Sequence, residues 1–191
     1  IPGGSSPGPV LFVAGRGANG GDAFVMARLA RLEGRDVAVT LAAGRPSSGT
    51  PAAANLAACE SLGIACASWT EEPDAVKRLL VGARWVVDGI AGTGLRGPLR
   101  APLDALVAAV NAAPGDRAAI DVPSGLGDGY REGWPVVHAT CTLTMGLPKA
   151  CLFLPRARRH CGPIFVVHPG FPAPLLEDPG ILCEAIDGDS F

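Results

Sequence analysis

Short apolar runs, each able to be buried on both faces, alternate along this chain with segments of helical spacing. That alternation restricts it to an α/β architecture. The run Pro9–Ala14 reads as a buried parallel strand and stops at the glycine-rich stretch Gly15–Gly21. From Asp22 onward, Phe24, Val25, Ala27, Leu29 and Leu32 recur at helical spacing until Gly34 closes the segment. Val37–Leu41 reads as a second strand, Pro51–Leu62 as an alanine-rich helix, Ile64–Ala67 as a short strand and Asp74–Leu80 as a helix. Trp85–Asp88 is a fourth strand, Pro98–Val110 a fourth helix and Ala118–Ile120 a fifth strand. Strands alternating with helices imply a parallel sheet with right-handed crossovers and helices on both faces, a three-layer α/β sandwich. After Pro123 the rhythm changes. Cys141–Met145 and Pro163–His168 are strand-like, have no long helix between them, and are expected to extend the sheet at one edge. No linker or internal repeat divides the chain, so a single domain over residues 1–191 is expected.

Composition removes several classes of function. With 16 Lys and Arg against 18 Asp and Glu, the net charge of −2 leaves no electrostatic footprint for nucleic acid or an anionic membrane. The longest apolar runs fall far short of the roughly 18 residues that span a bilayer. Ile1–Pro9 is a Gly/Ser/Pro arm rather than a charged leader with an apolar core. These features lead to the expectation of a cytoplasmic protein that acts on a small molecule. The six cysteines, at 59, 66, 141, 151, 161 and 183, form no CxxC pair, and the histidines at 138, 160 and 168 show no ligand spacing. Buried free thiols and no transition-metal site are expected. Arg156–His160 reads as a solvated loop face.

The polar motifs cluster at the carboxyl ends of strands, where open parallel sheets bind ligands. Strand one runs into Gly15–Asp22, strand four into Asp88–Pro98 and strand five into Asp121–Gly125. With the strand order 3-2-1-4-5, these loops converge on one crevice. Gly15, Gly17 and Gly20 match GxGxxG, a weak signal alone. A nicotinamide-dependent dehydrogenase would carry an acidic residue near the end of strand two, yet Val37–Leu41 runs into Ala42 and Ala43. Taken alone, the glycine loop could equally be a helix-opening turn with no ligand.

Four motifs occur in a fixed order: Ala18-Asn-Gly-Gly-Asp22, Asp88-Gly-Ile-Ala-Gly-Thr-Gly94, Ala119-Ile-Asp-Val-Pro-Ser-Gly125 and Met145-Gly-Leu-Pro-Lys149. In this order the chain resembles the NAD(P)H-hydrate epimerases, the YjeF N-terminal domain family, from about Val10 to Pro172. The resemblance implies a Rossmann-like fold with a mostly parallel central sheet. It also implies an isomerase of nicotinamide cofactor repair that interconverts the R and S epimers of NADHX and NADPHX. A potassium ion would lie at Asn19, Asp88 and Ser124, whose amide oxygen, carboxylate and hydroxyl suit a hard monovalent cation. Asp121 would be the catalytic acid/base, protonating the leaving C6 hydroxyl and taking a proton back from returning water. The substrate would contact Ala18, Asn19, Gly20, Gly21 and Asp22, the loop Gly92, Thr93, Gly94, Leu95, Arg96, Gly97 and Pro98, and Asp121. Thr93 and Arg96 are candidate phosphate ligands, and Lys149 could reach ribose or phosphate. The alternative is a non-catalytic nucleotide-binding or scaffold domain of the same fold.

The match has departures. Ala18 stands where the family usually has a second asparagine, and Gly127 where it has an aspartate, with Asp128 adjacent. The family's N-terminal helical segment, which helps form a dimer and close the site, is expected to be absent, since nine residues precede strand one. Family partners would be a second copy in a homodimer and an ADP- or ATP-dependent NAD(P)H-hydrate dehydratase, fused or functionally paired.

Overall fold

A computed structural model of the chain describes residues 8–170 and 172. The strands are β1 (Val10–Ala14), β2 (Val37–Leu41), β3 (Ala65–Ser68), β4 (Trp85–Gly89), β5 (Asp116–Ile120), β6 (Cys141–Met145) and β7 (Ile164–Val167). They form one sheet in the order β3-β2-β1-β4-β5-β6-β7, and every pairing in it is parallel. The helices are α1 (Ala18–Leu32), α2 (Pro51–Ser61), α3 (Pro73–Gly82), α4 (Leu103–Ala112) and the single-turn α5 (Pro155–Arg158), which follows a 3₁₀ turn at Ala150–Phe153. The two late strands extend the sheet beyond β5, as the sequence suggests.

The period of two along β1 builds two cores. Val10, Phe12 and Ala14 face one side and pack with Phe24, Ala27, Leu56 and Cys59 of α1 and α2. Leu11 and Val13 face the other side, in a cluster with Val76, Leu80, Leu106 and Val110 of α3 and α4. A central strand buried on both faces must be apolar throughout, which is why Val10–Ala14 shows no alternation in sequence. A third cluster, including Val122, Leu126, Tyr130, Leu152 and Cys161, lies beneath the segments that follow β5 and β6.

Three expectations need correction. Helix α1 begins at Ala18, four residues before Asp22. Gly20 lies so close to the Gly15 carbonyl that a Cβ there would sit 1.9 Å from the oxygen, so this glycine serves a tight strand-to-helix turn rather than an open loop. Helix α4 begins at Leu103 rather than Pro98. Pro102 disfavours helical backbone at Ala101 and has no N–H to continue a helix through it. The segment Arg156–His160 is only partly solvated, because α5 turns Ala157 and His160 inward while the arginines stay exposed. His160 is 7% exposed, and its Nε2 lies 3.1 Å from the buried Tyr130 hydroxyl. Burial, helped by His138 and Arg159, drives its imidazole down to about 4.

Cys59, Cys141, Cys151 and Cys161 are buried free thiols and Cys66 is half-buried, while Cys183 lies outside the described residues. Burial pushes the Cys59, Cys151 and Cys161 thiols up to about 11. Among the described residues no helix is long and apolar enough to cross a membrane.

Candidate active site

Strand order reverses at β1: the chain leaves it toward β2 and β3, then returns to place β4 on its other side. At such a switch point, between the segments following β1 and β4, open parallel sheets bind their ligands in a crevice. Its floor is main chain. Gly15 N–H donates to the Gly89 carbonyl at 3.0 Å, and a Cβ on Gly15 would fall 1.9 Å from the Ile90 carbonyl oxygen. Helix α1 starts immediately above this floor, with Gly17 as its N-cap, no side-chain cap and no acidic residue in its first turn. The first N–H groups of a helix have no intrahelical acceptor and carry the positive end of its dipole. Asn19, Gly20 and Gly21 in this turn are buried, whereas Ala18 and Asp22 are exposed.

Asp88, the penultimate residue of β4, is fully buried. Its Oδ2 accepts from Ser124 N–H at 2.8 Å. Its Oδ1 accepts from the Ser124 hydroxyl at 2.6 Å and from Ile90 N–H at 3.2 Å. Ser124 Oγ in turn accepts from Ala91 N–H at 2.8 Å, so these two side chains tie the segment after β5 to the segment after β4. Burial without a cationic side-chain partner pushes the Asp88 carboxyl up to about 6, against the lowering effect of the Ser124 and Ile90 hydrogen bonds. Asn19 lies against Gly92: a Cβ built there would be 3.5 Å from its Cγ. Its Nδ2 is buried and has no hydrogen-bond partner.

This set fits a hard monovalent cation. A buried carboxylate lacking a counter-charge, a serine hydroxyl and an unsatisfied buried amide all border one stretch of β4 and its loop. Rotating the amide by half a turn would present its oxygen where Nδ2 now stands. No soft ligand is in the set. Among the described residues, no group of three or more His, Cys, Asp or Glu side chains could hold a metal.

Asp121 follows β5 and is the single non-glycine residue with positive φ among those described, at 66°. Val122 N–H donates to the Ile120 carbonyl at 2.8 Å across it, closing a three-residue γ-turn of the strained hand. Such backbone costs about 1–3 kcal/mol and persists where surrounding contacts enforce it. Here Asp121 N–H donates to the Leu143 carbonyl at 2.8 Å. The carboxylate Oδ1 receives Lys149 Nζ at 2.6 Å, Met145 N–H at 3.3 Å and Thr144 Oγ1 at 3.4 Å. Asp22 faces the same region. Although the residue is exposed overall, packing around its carboxyl, and then the charge on Asp121, raise it above the ordinary range.

The loop Gly92–Pro98 forms the rim, with Thr93, Gly94 and Arg96 exposed and Leu95, Gly97 and Pro98 half-buried. Lys149, read as a ribose or phosphate contact or else an ordinary surface lysine, is paired with Asp121 in this structure. Sequence reasoning missed Thr144. The alternation Thr142-Leu-Thr144 in β6 was the available signal, since it puts two buried hydroxyls on one face.

Fold and site together define a doubly wound α/β enzyme whose crevice combines a helix N-terminus, a buried carboxylate and a strained aspartate. A family model described as YjeF-related protein N-terminus matches residues 4–151, and the chain belongs to that family. It is 36% identical over 170 residues to an NAD(P)H-hydrate epimerase of Rhodopirellula baltica, covering 88% of this chain and 69% of that protein. It is 37% identical over 158 residues to the bifunctional NAD(P)H-hydrate repair enzyme Nnr of Coxiella burnetii, covering 82% of this chain. It spans only 31% of that longer protein. The crystal structure of yeast ynu0 (YNL200c) superposes with a TM-score of 0.70 at 22% identity, covering 88% of this chain and 69% of that one, and shares the fold.

Proposed function

We propose that this chain is an NAD(P)H-hydrate epimerase that interconverts the R and S hydrates of NADH and NADPH. The observation that carries the reading is Asp121, held in strained backbone at the rim of a glycine-floored crevice, in a chain related to enzymes of that name. The first turn of α1 is suited to the substrate's pyrophosphate, and Arg96 and Thr93 on the rim can add donors to it. In the hydrate, the ring nitrogen's lone pair expels the C6 hydroxyl while Asp121 donates a proton to it, so water leaves and a planar iminium remains. Water then adds to either face, and Asp121 takes its proton back. Incubating pure S-NADPHX with the chain should bring the epimers to equilibrium well ahead of buffer alone. Equal rates would sink the reading and favour a non-catalytic nucleotide-binding domain.

Asn19, Asp88 and Ser124 would hold potassium. When bound, the ion supplies positive charge beside Asp88, offsetting the burial of its carboxylate. The unfolded chain gives up the Asp88 proton near 3.8 and the fold keeps it to about 6. The carboxyl therefore contributes most stability below 3.8, and that contribution is lost as pH rises to about 6. A cation can recover it only where Asp88 is ionised. At pH 7.5, potassium at ten times its Kd should stabilise the fold by about 1.4 kcal/mol, a rise in melting temperature of about 3–5 °C. At the same potassium concentration the rise should shrink to about a quarter at pH 5, and it should vanish in Asp88→Asn. A melting temperature indifferent to potassium but raised by zinc or magnesium would refute the assignment. The relation to bifunctional repair enzymes supports pairing with a dehydratase that consumes one of the epimers.

A further inference from the structure

We infer that Lys149 is a positioning residue for Asp121, fixing carboxylate Oδ1 so that Oδ2 alone exchanges the proton with substrate and water. The inference rests on the epimerase reading. All three donors that reach the Asp121 carboxylate, Lys149 Nζ, Met145 N–H and Thr144 Oγ1, converge on Oδ1. None among the described residues reaches Oδ2, although the side chain is 15% exposed. The lysine is itself tethered, because Nζ also donates to the Met145 carbonyl at 2.5 Å. Nζ is thus engaged by a carboxylate and a carbonyl within the protein, and the side chain is 25% exposed. A lysine committed in this way is poorly placed to double as a phosphate ligand.

The need for an anchor follows from the torsion. The terminal bond of an aspartate side chain rotates in a broad, roughly two-fold well, so an untethered carboxylate samples a wide range of planes. The γ-turn fixes where the side chain leaves the backbone but not the plane of the carboxylate. The short ion pair from Lys149 holds Oδ1 to one side, and with the donors from Met145 and Thr144 on the same oxygen it fixes that plane. It comes from the segment beyond β6, so the end of β6 orients a group on the end of β5. Facing groups with charge or a titratable proton are Lys149, Asp22 on α1 and the buried Cys151 thiol.

Lys149→Met should lower kcat for epimerisation of S-NADPHX by about 10- to 100-fold, the scale of a misplaced reacting group. KM and the calorimetric Kd for NADPHX should stay within about twofold. Lys149→Arg, which keeps the charge and a directional donor, should recover most of the loss. In an Asp121→Asn background, Lys149→Met should cost nothing further, since no proton-exchanging oxygen is left to orient. Circular dichroism and dinucleotide binding establish that each variant is folded. A Lys149→Met protein that keeps kcat but loses affinity tenfold would overturn the inference and return Lys149 to the substrate's phosphates. So would full additivity of the two substitutions. Either result leaves a fast parent enzyme, whereas a parent no faster than buffer overturns the epimerase reading and this inference with it.

Discussion

Asp121→Asn is expected to lower the rate of R/S interconversion by about 10²- to 10⁴-fold, the usual contribution of a positioned general acid/base. Asparagine tolerates the left-handed backbone at this position better than other substitutes, and its amide oxygen can still accept from Lys149. The γ-turn and the crevice therefore survive, and dinucleotide affinity should change little. Only the capacity to shuttle a proton is lost. The spontaneous interconversion sets a floor and must be subtracted. If the variant matched a parent that clearly exceeded that floor, the acid/base would have to be another group, and Asp22, with its raised proton affinity, would be next to test.

Gly15→Ala should be among the most destabilising single-methyl changes in the described residues. Its Cβ would sit 1.9 Å from the Ile90 carbonyl oxygen and 2.9 Å from the carbonyl carbon. Neither atom belongs to a side chain that can swing aside. Relief requires the ends of β1 and β4 to separate, which breaks the hydrogen bond from Gly15 N–H to Gly89. A loss of about 3 kcal/mol or more is expected, at the upper end for overpacking, with a melting temperature lower by about 6–12 °C. Gly94→Ala is the matched control. Nothing lies within 4 Å of its Cβ position, and its cost should stay within about 0.5 kcal/mol. A Gly15→Ala melting curve overlying that of the parent would show that the two strand ends are not in contact as described.

The strands were legible because a sheet covered on both faces demands apolar runs, unbroken in β1 and interrupted only by Thr40 in β2 and near the end of β4 by Asp88. Convergence of the motifs was legible because parallel strands deliver their following loops to one edge. The start of α1 was not. Asn19-Gly-Gly reads as loop by local propensity, and the contact of Gly20 with Gly15, which makes it helix, exists only once β1 is folded back against the turn. His160 was hidden by neighbouring arginines. Its partner Tyr130 is 30 positions away, and no local pattern connects them. Lys149 and Asp121 posed the same difficulty. Each motif offered a candidate residue, but only the adjacency of β5 and β6 brings the lysine to the aspartate.

The main-chain floor of the crevice also bears on how such a site can diverge. Where Gly15 and Gly20 bring backbone onto backbone there are no side chains to exchange, and any replacement that adds one disturbs the fold before it alters recognition. Room for side-chain change lies instead at the rim, where Thr93, Gly94 and Arg96 are exposed. The backbone-packed and the exposed parts of the proposed binding surface are physically separate layers. A library built to retune selectivity belongs on residues 93–98, above a floor that tolerates no alphabet but glycine.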